Sequence, residues 1–353
     1  MFHPGSQPDD RFDPDRCAAS VYSSINANVV YLVVSMMQPV FKLFSLYFLL
    51  TISACQSKTV EVQQQAAAES PRLVVVVNYP LQFIVESLVG PEFQVLNPVP
   101  PNENPETWLP GNATIQTIQQ ADLIVTNGAD FADWVKKLSL PRSKVLRTSL
   151  VIKDALITVP DFEVHSHGAG GAHSHAGTVA FFWLDPRLMA RQAEAIAERL
   201  IKLDPGSEKT IRANLEKLND SLKPLNHQLD QLREDYPGLN WYSRRPVYQY
   251  LAKRCDWTMY HLHWQSNEKP NQEDWKQLKT LQKQHKISLM LCESEPTEEL
   301  VPELAEQGIT VFTLNPLTVA PAQGDYVSNM QQQLTHLQMF LKQQQKISTP
   351  ENQ

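Results

Sequence analysis

Four of the chain's ten histidines fall within the eleven residues HSHGAGGAHSH, 165–175, as two H-x-H pairs: His165 with His167, and His173 with His175. Neutral imidazole is the commonest side-chain ligand for zinc and also binds copper, nickel and iron. The five residues between the pairs include three glycines, so the chain can close around one ion without strain. The pattern therefore predicts a metal-collecting loop over 165–175, of modest affinity because binding must order it. A third H-x-H, His261 and His263, lies in TMYHLHW. Residues two apart on a strand share a face, so these rings can converge on an ion or pack beside Trp257 and Trp264. Glu293 and Glu295 in CESEP share a side at the end of a predicted buried strand, where α/β sheets present their ligand groups.

Other chemistries lack their signatures. The chain has no G-x-S-x-G, H-E-x-x-H, P-loop or G-x-G-x-x-G after a strand, and no enzyme is expected. Net charge is −7 with no basic run, which argues against nucleic acid. No C-x-x-C occurs, so a thiolate zinc site or redox dithiol is disfavoured.

The elements that must position these groups alternate. LVVVV reads as a buried parallel strand, PLQFIVESLVG as an amphipathic helix, and FQVLNPV as a second strand. NATIQTIQQA is a helix with Asn112 as its cap, followed by the strand DLIVTNG, the helix DFADWVKKLS and the strand KVLRTS. Residues 184–236 are helical, the last part a long helix whose charged faces suit a connector partly in solvent and whose Pro224 should kink it. Alternation then resumes with RRPVYQYLAKRC (helix), TMYHLHW (strand), NQEDWKQLKTLQKQHK (helix), ISLMLCE (strand), TEELVPELAEQG (helix), ITVFTL (strand) and a closing helix. The fold class is α/β: two lobes, each a parallel sheet flanked by helices, joined by one long linking helix.

The N-terminal part reads as targeting. MMQPVFKLFSLYFLLTISAC, 36–55, has Lys42, an apolar run too short to span a bilayer comfortably, and a small-residue end at Ile52-Ser53-Ala54-Cys55. Those four residues resemble the bacterial lipobox, in which the cysteine is lipidated. The expected organisation is 1–54 an upstream extension plus signal peptide, with translation starting at Met36 or Met37; 55–71 a polar tether; 72–205 an N-terminal lobe carrying the 165–175 loop; 206–238 the linking helix; and 239–346 a C-terminal lobe. Cys255 and Cys292 are left either to pair, which an exported location permits, or to be buried thiols.

ADLIVTNGADFADWVKKL, the His-rich loop, WLDPRLMARQAEAIAERLIKLDP, PVYQYLAKR, ESEP, LNPL and GDYVSNM, in that order behind a lipobox, resemble the periplasmic metal-binding proteins of zinc and manganese ABC importers. The resemblance implies two α/β lobes rigidly linked by a long helix, with metal in the cleft between them. Carried over singly, that cleft's usual ligand positions hold Glu106, Phe181, Arg245 and Asn315, and a glutamate that often follows the next strand's tryptophan becomes Gln265. Phenylalanine cannot ligate, and arginine stays protonated and repels a cation. Glu106 alone keeps a hard donor. Arg245 is therefore expected to supply the missing positive charge, pairing with Glu106 or a carboxylate of ESEP, with Phe181 filling the space.

The resemblance thus implies an exported, periplasmic or cell-envelope lipoprotein, monomeric, that captures zinc (manganese or another divalent transition metal being the alternatives) through His165, His167, His173 and His175. Glu106, His261, His263 and Glu295 are secondary candidates. The implied partners are ABC permease and ATPase subunits, and the membrane through a lipid on Cys55. The alternative is a divergent paralogue without cleft metal, acting as a metal buffer, an adhesin or a binder of another small ligand. Mass spectrometry of the native protein should find a mature chain that starts at an acylated Cys55; an unmodified product beginning near Met1 would contradict the lipobox.

Overall fold

The computed structural model describes residues 70–166, 172–262, 264 and 269–348, with backbone alone over 160–166, 172–176 and 347–348. The targeting segment, Cys55, the tether up to residue 69, His167, His263 and Gln265 lie outside the described residues.

Two four-stranded parallel sheets carry the structure. The first is formed by β1 (Arg72–Val76), β2 (Phe93–Leu96), β3 (Leu123–Thr126) and β4 (Val145–Arg147), in the order β2-β1-β3-β4. The second is formed by β7 (Asn240–Ser243), β8 (Thr258–His261), β9 (Leu289–Cys292) and β10 (Thr310–Thr313), in the order β8-β7-β9-β10. Both sheets therefore share one strand order, second-first-third-fourth, with the chain changing direction between the first and third strands. Between them in sequence, β5 (Thr158–Ser166) and β6 (Ala172–Thr178) form an antiparallel ribbon.

Local chemistry explains the helix starts. In α1 (Tyr79–Leu88), Asn78 Oδ1 accepts from the Leu81 N–H, a cap worth about 1 kcal/mol. In α3 (Pro186–Leu203), proline opens the first turn and Asp185 accepts from the Arg187 N–H. The intervening α2 (Asn112–Gln120) departs from expectation: its cap is Gly111, and Asn112 is already helical. DFADWVKKLS likewise yields only a short 3-10 turn, Asp133–Lys137.

The long helix α4 (Glu208–Asp235) runs through Pro224. It buries Ile211, Leu218, Leu222, Leu225, Leu229 and Leu232, a stripe whose steps alternate between four and three residues from Leu218 onward. Each such side chain contributes about 1.5–3 kcal/mol on burial. The stripe packs on α1 and α3 and also on α5 (Gln249–Cys255) and α8 (Tyr326–Ser348), so this helix is a shared core element on one face while its charged face stays in solvent, as expected. The second sheet shows the period of two expected of strands: Trp241, Leu289 and Leu291 join the main core, while Tyr242, Met290 and Cys292 face a separate cluster with Leu278 and Leu304. Two helices, α6 (Gln272–His285) and α7 (Leu300–Glu306), supply those last two leucines.

Trp183 ties the N-terminal half of the chain to the last strand's exit. Its indole N–H donates to the Pro316 carbonyl at 2.8 Å, its own carbonyl accepts from the Tyr326 hydroxyl at 2.8 Å, and the residue is fully buried. Nearby, the Tyr79 N–H donates to the Thr318 carbonyl. Urea unfolding of Trp183→Ala should show a loss of about 3–5 kcal/mol, whereas Val301→Ala, at an exposed site, should stay within about 0.5 kcal/mol of wild type.

Candidate functional site

Parallel sheets present their functional groups beyond the carboxyl ends of the strands, at the point where strand order reverses. In the second sheet that point lies between β7 and β9. Arg245 follows β7 by two residues and Glu293 follows β9 directly. Arg245 is held by its own backbone: its carbonyl accepts from the Ser243 hydroxyl and the Val247 N–H, each at 2.9 Å.

Glu106 comes from the loop after β2. That loop is fixed by an Asx turn, in which Asn104 Oδ1 accepts from the Glu106 N–H at 2.9 Å, and by Trp134, whose indole donates to the Pro105 carbonyl at 3.1 Å. Trp134 in turn stacks edge-on against Trp108, with ring centroids 5.1 Å apart.

The guanidinium of Arg245 joins the two carboxylates. Nη1 and Nη2 donate to Glu106 at 2.8 and 2.7 Å, and Nε and Nη2 donate to Glu293 at 2.8 and 2.6 Å. Both pairs are two-bond forks, the strongest form of this contact. The side chains are 31% (Arg245), 21% (Glu106) and 26% (Glu293) exposed, so water screens the network only in part. Burial alone would pull the arginine's proton affinity down, but the charges and hydrogen bonds of Glu106 and then Glu293 outweigh it and hold it above its ordinary value. Phe181 forms the floor, buried, with its ring centroid 5.1 Å from Arg245 Cζ. Phe131 and Trp183 pack against that ring in turn. Asn127, at the exit of β3, donates to the Ala180 carbonyl at 2.8 Å and fixes the segment that carries it.

Three of the four expected cleft positions therefore meet, and Arg245 pairs with a carboxylate on each side. Asn315 is engaged elsewhere: it is exposed, its Oδ1 accepts from the Leu317 N–H at 2.8 Å, and its backbone bonds Gln333. Of the two ESEP carboxylates, only Glu293 reaches the arginine; Glu295 lies exposed. Glu106, a candidate donor, has both oxygens engaged by Arg245. His261 is half-buried at the end of β8. Among the described residues no group of three or more histidine, cysteine or acidic side chains is gathered as a metal site.

The His-rich segment is not a plain loop. Its flanks pair as the β5–β6 ribbon, with His165 opposite His173 and Glu163 opposite His175. Opposed residues lie on the same face of an antiparallel pair, as do residues two apart, so all four positions share one face. The base of the ribbon is clamped by Tyr250, whose oxygen accepts from the Ile157 N–H at 3.1 Å and whose hydroxyl donates to the Val179 carbonyl at 3.0 Å.

A family model described as zinc-uptake complex component A, periplasmic, matches residues 74–339. The high-affinity zinc uptake system protein ZnuA of Bacillus subtilis is 23% identical over 275 residues, covering 76% of this chain and 85% of that protein. Among solved structures, the metal-dependent lipoprotein YcdH from Bacillus subtilis matches with a TM-score of 0.63 at 21% identity, over 76% of this chain and 98% of that one. Zn(II)-bound AdcA from Streptococcus pneumoniae matches at 0.62 and 19% identity, over 76% and 57% respectively.

A double-mutant cycle with Glu106→Gln and Arg245→Met, read by urea unfolding, should give a coupling of about 1–3 kcal/mol. The same cycle on the exposed pair Lys136–Asp133 should give less than about 1 kcal/mol.

Proposed function

The chain belongs to the periplasmic zinc-uptake component A family, and from that membership we propose that it is the metal-binding, solute-binding component of an ABC importer. Members of the family are solute-binding proteins and not enzymes. The cargo we assign is a divalent transition metal, zinc ahead of manganese, handed to membrane permease and ATPase subunits. The protein works as an exported monomer anchored through a lipid on Cys55, with 55–71 as tether, 72–205 and 239–346 as lobes and 206–238 as their link.

One observation carries the assignment of the cargo site: the ribbon register that sets His165 across from His173. With His175 and Glu163 on the same face, the ribbon offers three imidazole donors and one carboxylate, the ligand types zinc takes in four-coordinate sites. His167 extends the same alternation and is included in the proposal. Glu106, His261, His263 and Glu295 are weaker members: Glu106 is engaged by Arg245, and Glu295 is exposed.

The Arg245 bridge favours a second reading, in which the chain keeps the family fold but has given up cleft metal and serves as a metal buffer, an adhesin or a binder of another small ligand. Zinc titration of a chain lacking 165–175 with its cleft intact separates the two.

Isothermal titration decides the first reading. Replacing His165, His167, His173 and His175 by alanine should weaken zinc binding at least about 100-fold, or about 2.7 kcal/mol. Wild-type affinity should also fall as pH drops through about 6.5, where protons compete for imidazole nitrogen. Undiminished affinity in the variant would end the assignment.

A further inference from the structure

The cleft has the composition of a ligand site, with its ligand already in it. Glu106 and Glu293 lie 187 positions apart in the chain, yet both aim two oxygens at one planar cation. An aromatic ring lies beneath that cation, and the strand-order reversal of the second sheet places it where α/β folds hold small molecules. What fills the place is a side chain of the protein itself. Its backbone is pinned by Ser243 and Val247, and Pro246 restricts the conformation of Arg245 directly before it.

We propose that Arg245 is a tethered ligand, and that Glu106, Glu293 and Phe181 form a site for a guanidinium-class cation that the chain occupies with its own arginine. The donor set fits a guanidinium better than a metal ion. Two carboxylates facing each other across a flat, five-donor fork are satisfied by in-plane hydrogen bonds, whereas the buried phenyl ring offers a metal no donor. A spherical cation entering the cleft must first displace four charge-assisted hydrogen bonds. The site is therefore closed to cargo by a residue in place, and the two lobes are bridged without it. This stands apart from the ribbon proposal and survives its failure, because none of its residues lies on β5 or β6.

The test uses the full chain. In Arg245→Ala the two carboxylates face an empty space, and the melting temperature should fall. Adding about 10 mM guanidinium chloride, far below denaturing concentrations, should raise it by about 3 °C over the same concentration of sodium chloride. Wild type, whose site is filled, should not respond. Glu106→Gln/Arg245→Ala should lose most of the response. An equal rise with sodium chloride, or an equal rise in wild type, would overturn the proposal. So would a rise with zinc in Arg245→Ala from which the four ribbon histidines have also been removed. Should Arg245→Ala fail to fold, the wild-type chain supplies the readout. The Arg245 Nε–H, donated to Glu293, should give a protected side-chain resonance unchanged by excess zinc; its loss on adding zinc would refute the tethered-ligand reading.

Discussion

Arg245 brings one positive charge into a crevice where Glu106 and Glu293 bring two negative ones, and partial burial makes each charge costly unless the others are in place. That constraint explains features that otherwise look unrelated. The Glu106 loop needs both its Asx turn and its Trp134 anchor, because a carboxylate that wandered would leave a guanidinium half-satisfied. Glu293 must leave β9 without an intervening residue. Phe181 must be buried, since a ring that excludes water from one side of the cation strengthens the hydrogen bonds in its plane. A bridge between residues 139 apart in sequence also fixes how the two sheets meet, and α4 reinforces that arrangement by burying its leucines against helices from both halves.

The bridge is physically continuous with the ribbon. β6 ends at Thr178, Val179 receives the Tyr250 hydroxyl, and two residues later Phe181 lies beneath Arg245. Tyr250 sits on α5, a short helix beginning four residues after Arg245. Ribbon and crevice are thus linked through the segment Val179–Phe181 and the start of α5. Trp183, with its bonds to Pro316 and Tyr326, packs against Phe181 in turn.

Much of this was legible in the residues, and the failures have physical causes. β1, β3 and β9 are apolar runs bounded by turn residues and leave no choice but a buried strand. The sequence reading assigns no strand between the long helix and RRPVYQYLAKRC, yet β7 is central in its sheet: Asn240–Ser243 is only four residues long, too short to show a period. The Pro237-Gly238 turn just before it was the available signal. The small residues Gly168–Ala172 between the two H-x-H pairs favour a loop reading of 165–175, while the alternation of histidine with small residues on either side, a period of two, is itself a strand pattern. Arg245 was expected to pair with Glu106 or an ESEP carboxylate and takes both Glu106 and Glu293; sequence could not say which ESEP carboxylate, because Glu293 and Glu295 share a strand parity and differ only in their distance from the end of β9. Asn112 failed as a cap because Gly111 already supplies the extended turn.

The two cysteines among the described residues, Cys255 on α5 and Cys292 at the end of β9, are free and buried, and burial pushes both thiols up to about 12. Only the thiolate attacks a disulfide or an oxidant, and at neutral pH such groups spend a negligible fraction of time ionised. Cys292 is the residue immediately before Glu293, so oxidation there would push polar bulk into the packing that aims the carboxylate. Sequestering it leaves the crevice indifferent to redox conditions.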